Sequence, residues 1–124
     1  MVDISVEPRW GRVAEGAGED PYLGSRVAEA LVRGYQGNYG KENAMACVKH
    51  FALYGAAEAG RDYNTVDMSR VRMFNQYLPP YKAAAAAGAG PFLSSVHVVD
   101  VLPATCNSWL LPDHRLYRWS DDGF

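Results

Sequence analysis

The chain of 124 residues is 48% hydrophobic and 21% charged, an ordinary globular composition that supports one modest core. Twelve basic against fourteen acidic residues leave a formal charge of −2, and no basic run or basic-aromatic stripe suggests a nucleic-acid partner. The longest apolar stretch, at 83–87 and its neighbours, falls far short of the roughly 20 residues that a bilayer crossing needs, so no membrane partner is expected either.

Residues 1–5 alternate apolar and polar side chains and predict a short strand. Glu7-Pro8-Arg9-Trp10-Gly11 follows as a loop, punctuated by proline and glycine. A helix then starts at Asp20-Pro21, with Asp20 as cap and Pro21 in the first helical position. Leu23, Val27, Leu31 and Tyr35 recur every four residues and predict its buried face, and Gly37-Asn38 stops it.

The apolar run 44–48 predicts a buried strand that delivers Lys49-His50-Phe51 at its end. Ser69 caps a second helix whose apolar face reads Val71, Phe74, Leu78, Tyr81 and Ala85, with a kink at Pro79-Pro80 and a stop at Gly88-Ala89-Gly90. Residues 92–99 predict a third strand, and Asn107 caps a third helix running to about Trp119. Strand then helix, three times over, predicts an α/β fold with a parallel sheet in a single unit spanning 1–124. Three units cannot close an eight-stranded barrel, which takes about 250 residues, so the expectation is a partial barrel from a longer protein.

Arg9, Lys49 and His50 all fall just after predicted strands, where a β/α fold places its ligand-facing loops. Adjacent Lys and His donors and an Arg fork suit a ligand dense in hydroxyls, such as a neutral sugar. Gly16-Ala17-Gly18 lacks the full GxGxxG spacing, and Glu19-Asp20 would repel phosphate from the helix start, so nucleotide binding is disfavoured. Cys47 and Cys106 fit neither a zinc signature nor a disulfide framework. Asp62 and Asp67 read as caps or loop acceptors, and Trp10 and Trp109 as core.

Pro8-Arg9-Trp10-Gly11-Arg12, Glu15-Gly16-Ala17-Gly18-Glu19-Asp20-Pro21, Lys49-His50-Phe51 and Tyr54-Gly55-Ala56-Ala57-Glu58 resemble the N-terminal barrel of glycoside hydrolase family 3. The segments from Arg61 to Ser69, Leu78 to Ala83 and Pro103 to Asn107 continue the likeness over essentially the whole chain. The resemblance implies a (β/α)8 barrel fragment from a retaining β-glycosidase of β-glucosidase type. Arg9, Lys49 and His50 would then bind the sugar in subsite −1, with Arg61 shaping the site. It also implies non-proline cis peptide bonds around Lys49-His50-Phe51. The catalytic aspartate of the family would lie just beyond Phe124 and its acid/base glutamate in a following domain. No metal or organic cofactor is implied, because two carboxyl groups about 5–5.5 Å apart suffice for retention. The implied partners are a β-linked glucoside or oligosaccharide and the remainder of a parent chain.

Two stretches depart from the family pattern. His97 stands where Asn is usual, and Asp100-Val101 where Asn-Gly is usual, which removes a glycine suited to a positive-φ turn. Residues 113–121 lose an apolar helix face and a stop glycine. A non-catalytic or vestigial carbohydrate-binding segment is therefore the alternative reading. No signal peptide is visible at Met1, and a periplasmic or extracellular location is implied only by the bacterial relatives.

Overall fold

A computed structural model describes residues 1–111. The body of the expected third helix and the departures at 113–121 lie outside the described residues. Helix α1, Pro21–Gln36, leads to strand β1, Val48–Phe51. A short helix α2, Arg70–Arg72, runs into a π-helical turn at Met73–Tyr77 and then into α3, Pro79–Ala86. Strand β2, Phe92–Ser94, follows, and β3, Val98–Val99, pairs with β4, Leu102–Pro103, as an antiparallel hairpin. β1 and β2 are parallel neighbours, so β1, the helical crossing and β2 form one β-α-β unit.

Local signals at the helix ends behave as their chemistry requires. The Leu23 N–H donates to Asp20 Oδ1 at 2.6 Å, Pro21 takes the first helical position, and Gly37 ends α1 at a φ of 45°. Ser69 Oγ accepts from the Arg72 N–H at 3.3 Å. Asn107 Oδ1 accepts from the N–H groups of Trp109 and Leu110, as an N-cap does.

The buried face of α1 is not the expected one. Gly24, Ala28, Val32 and Gln36 turn inward, while Leu23 and Tyr35 are 51% and 59% exposed. Close approach explains the shift: a Cβ on Gly24 would lie 3.0 Å from Ile4 Cδ1 and 3.1 Å from Pro80 Cγ. The narrow gap between α1, residues 1–5 and the start of α3 admits small residues and excludes leucine.

In the second helical stretch, Val71 is exposed and the buried residues are Met73, Tyr77, Leu78, Pro80, Tyr81 and Ala84. The Leu78 N–H reaches back five residues to the Met73 carbonyl, at 2.9 Å. That wide turn rotates the face which a regular 3.6-residue period would keep constant. It also precedes the proline pair where the kink was expected.

Two expected strands are displaced. The N–H groups of Ala44 and Ala46 are bound to the Tyr35 carbonyl and to Gln36 Oε1, so this segment is stapled to the end of α1 and the strand begins only at Val48. Residues 1–5 form no strand ladder, although the Val2 N–H donates to the Lys49 carbonyl at 3.0 Å and holds the segment beside β1. The expected strand 92–99 divides into β2 and β3, separated by the buried Ser95 and His97.

The core gathers Ile4, Val32, Val48, Phe51, Leu78 and Tyr81 between the strands and the helices. Phe51 packs edge-on against both Tyr81 and Phe92. No helix among the described residues is long and apolar enough to cross a membrane.

Candidate functional site

Lys49 and His50 lie within β1 itself, not in the loop after a strand ending at Val48 as the sequence suggests. The peptide bond between Lys49 and His50 is cis, as the resemblance implies, and a second non-proline cis bond joins Phe51 to Ala52. Residues 1–5 lie alongside and bring up Asp3. The His50 N–H donates to Asp3 Oδ2 at 2.9 Å, and its ring Nδ1 stands 3.1 Å from the same oxygen. Tyr81 donates its hydroxyl toward Asp3 Oδ1 at 2.6 Å and lies 2.7 Å from the His50 carbonyl.

The loop from Glu7 to Glu15 folds over this end of β1. Trp10 anchors it: the indole is 1% exposed, meets Tyr54 edge-on and donates its N–H to Asp62 Oδ1 at 2.8 Å. The adjoining turn Val13–Glu15 then sets Arg12 against the site. Arg12 donates through Nε and Nη2 to Glu15 at 2.6 and 2.8 Å and turns Nη1 to His50 Nε2 at 3.2 Å. Its guanidinium also sits 5.4 Å from the Tyr54 ring centre.

The charges interlock. The Arg12 bonds hold Glu15 down at about 2, with the charges of Arg12 and Lys49 adding to the effect, and Glu15 in turn raises Arg12 above its ordinary value. Burial pushes Asp62 up, but the Trp10 indole, the nearby Tyr54 hydroxyl and the Arg12 charge together hold it below the ordinary value. Burial raises Tyr54, with Asp62 adding to the rise. Beneath the surface, Ser5 Oγ and both ring nitrogens of His97 are buried without a hydrogen-bond partner among the described residues.

Of the sequence-predicted residues, Lys49 and His50 stand together here. Arg9 does not reach His50: it lies at the rim, its side chain 69% exposed, with Nε and Nη2 both bonded to Glu7 at 2.8 Å. That pairing holds Glu7 down at about 2. A Cβ on Gly60 would lie 3.1 Å from Arg9 Cβ, so the Glu7-to-Arg9 loop closes on the residue preceding Arg61. Arg61 is exposed.

Arg12, Asp3 and Glu15 are the partners that sequence reasoning missed. The three-residue spacing of Arg12 and Glu15, compatible with a fork-to-carboxylate pair across one turn, was the available signal. Asp62 serves as a loop acceptor and Trp10 as core, as expected. Among the described residues, no group of three His, Cys, Asp or Glu side chains is placed to hold a metal ion.

Residues 1–123 match the model of the glycosyl hydrolase family 3 N terminal domain. The chain is 49% identical to a periplasmic beta-glucosidase of Salmonella typhimurium, over 99% of this chain and 16% of that protein. It is 37% identical to a beta-xylosidase of Formosa agariphila, over 95% of this chain and 17% of that protein. Among solved structures, the beta-glucosidase of Listeria innocua in complex with glucose is 51% identical with a TM-score of 0.89, covering 96% of this chain and 17% of that one. The same enzyme, as a D270A mutant, has been solved with laminaribiose. The chain thus spans about a sixth of the length of these relatives.

Proposed function

Because the chain belongs to glycoside hydrolase family 3, whose N-terminal domain it matches, we propose that it is part of the sugar-binding floor of a retaining β-glucosidase-like enzyme. Its β/α elements, three units by the sequence pattern, would be completed by the remainder of a parent (β/α)8 barrel. The parent would hydrolyse terminal β-linked glucose or a similar unit, and the Salmonella typhimurium relative favours a periplasmic location.

One observation carries this reading. Lys49 and His50 lie within the short strand β1, one of a parallel pair, and Arg12 comes within 3.2 Å of His50 from a different loop. Three nitrogen-bearing side chains from two segments can hold several hydroxyls of one sugar ring in fixed directions. Arg9 and Arg61 serve at the rim, where a second sugar unit or the aglycone would pass.

Retention further requires a carboxylate to form the glycosyl intermediate and an acid to protonate the leaving oxygen. The carboxylates gathered here are occupied otherwise: Asp3 by His50 and Tyr81, Glu15 by Arg12, Glu7 by Arg9 and Asp62 by Trp10. In this reading the nucleophile and the acid/base come from other parts of the parent.

In the parent enzyme, Lys49→Ala and Arg12→Ala should each lower kcat/KM toward an aryl β-glucoside about 10²-fold, because a misplaced sugar loses its orientation at the reacting centre. Arg9→Ala should cost less than about tenfold, since its fork is held by Glu7. An unchanged kcat/KM for Lys49→Ala rejects the site. The alternative, a non-catalytic carbohydrate-binding segment, draws support from the family departures at His97 and Val101; a parent that binds glucose without turnover would establish it.

A further inference from the structure

The contacts of His50 determine which ring nitrogen carries its proton. Nε2 stands 3.2 Å from Arg12 Nη1, and an arginine guanidinium has only donors, so Nε2 accepts. The hydrogen of the neutral ring is then on Nδ1, which faces Asp3 Oδ2 at 3.1 Å. A doubly protonated ring would satisfy Asp3 but would turn an N–H against the Arg12 donor.

Asp3 is built to enforce that choice. Its side chain is 0% exposed, and Oδ2 receives the His50 main-chain N–H as well as the ring. Its other oxygen is held by Tyr81, which also reaches the His50 carbonyl. Main chain and ring of His50 are therefore referred to a single fixed carboxylate.

The geometry points to Asp3, backed by Tyr81, as the positioning residue that locks His50 in its Nδ1–H tautomer, so that Nε2 is the acceptor that fixes Arg12 Nη1 beside the sugar site. This rests on the reading that the site binds a sugar. With Arg12 fixed in this way, Lys49 and the remaining Arg12 N–H groups donate to hydroxyl oxygens of the sugar. Second-layer carboxylates that orient a histidine in this way act through the ring and do not touch the sugar themselves.

The test is a two-bond proton–nitrogen correlation spectrum of the complete parent protein with ¹⁵N-labelled histidine at neutral pH, assigned with His50→Gln. The native protein should show His50 with a protonated Nδ1 and an unprotonated Nε2. Asp3→Asn, which keeps a carbonyl acceptor for the ring, should retain that pattern. Asp3→Leu, which leaves the buried Nδ1–H without its acceptor, should shift His50 toward the Nε2–H form, turn Arg12 away from the ring and lower kcat/KM at least tenfold, mostly through KM.

A native Nε2–H tautomer overturns the assignment, as does an unchanged tautomer in Asp3→Leu. Should Asp3→Leu fail to fold, the native spectrum and Asp3→Asn still decide. The expected tautomer in a parent that cleaves no glycoside would leave the role of Asp3 standing and remove the proposed enzymatic function.

Discussion

Replacing Val101 by glycine should stabilise the protein. The hairpin between β3 and β4 turns on Asp100 and Val101, both at positive φ, 49° and 61°. Two-residue hairpin loops require this backbone, and asparagine followed by glycine supplies it at least cost. For an L-residue the left-handed region costs about 1–2 kcal/mol, and a β-branched side chain belongs at the upper end. Glycine gives back about 0.5–1 kcal/mol in unfolded-state entropy. Val101 is 89% exposed, so its side chain contributes little packing that could be lost. The balance is a gain of about 1 kcal/mol. With a urea slope of about 1–3 kcal/mol per molar, the denaturation midpoint should rise by about 0.3–1 M at unchanged slope. Val96→Gly, at another exposed valine but without positive φ, should lower the midpoint. A midpoint that stays or falls in Val101→Gly refutes the reasoning.

Burial lowers His97 to about 4 from an ordinary 6.5. A depressed folded value means that its neutral form stabilises the fold fully above about pH 6.5, and that this contribution is lost as pH falls through 4. At about 1.4 kcal/mol per pH unit the loss approaches about 3 kcal/mol. Denaturation midpoints measured between pH 7 and 4 should fall more steeply for the native protein than for His97→Asn; parallel curves would contradict this. Trp10→Ala should cost about 3–5 kcal/mol, because it empties a buried indole site and strands Asp62. Trp10→Phe, which loses only the indole N–H bond and some volume, should cost less in the same urea titration.

What was legible in the sequence was chiefly local. Asp20, Pro21, Gly37 and Ser69 announce helix ends because each acts on backbone groups within a few residues of itself. Lys49 and His50 drew notice because they sit at a strand and carry donors suited to hydroxyls. What was lost depended on neighbours distant in sequence. The inward face of α1 is selected by Ile4 and Pro80, which press on Gly24, and apolar periodicity alone favours the larger leucines. The π-helical turn at Met73–Tyr77 breaks the period from which Val71 was read as buried. Two arginines three residues apart in one motif cannot be ranked until Trp10 is seen to bury itself and set the loop, which sends Arg9 to Glu7 and Arg12 to His50. The unusual Asp100-Val101 turn was visible in advance, because a missing glycine is itself a local signal.

Release of nitrophenol from an aryl β-glucoside, followed side by side for the purified 124-residue chain and for the complete parent, tests most directly whether this piece positions the sugar without performing the chemistry. The parent should turn over and lose about 10²-fold in kcat/KM on Lys49→Ala, while the chain by itself should give no release above a heat-inactivated control. Sustained turnover by the 124-residue chain, abolished by Lys49→Ala, would contradict the account and place the catalytic carboxylates among residues assigned here to positioning.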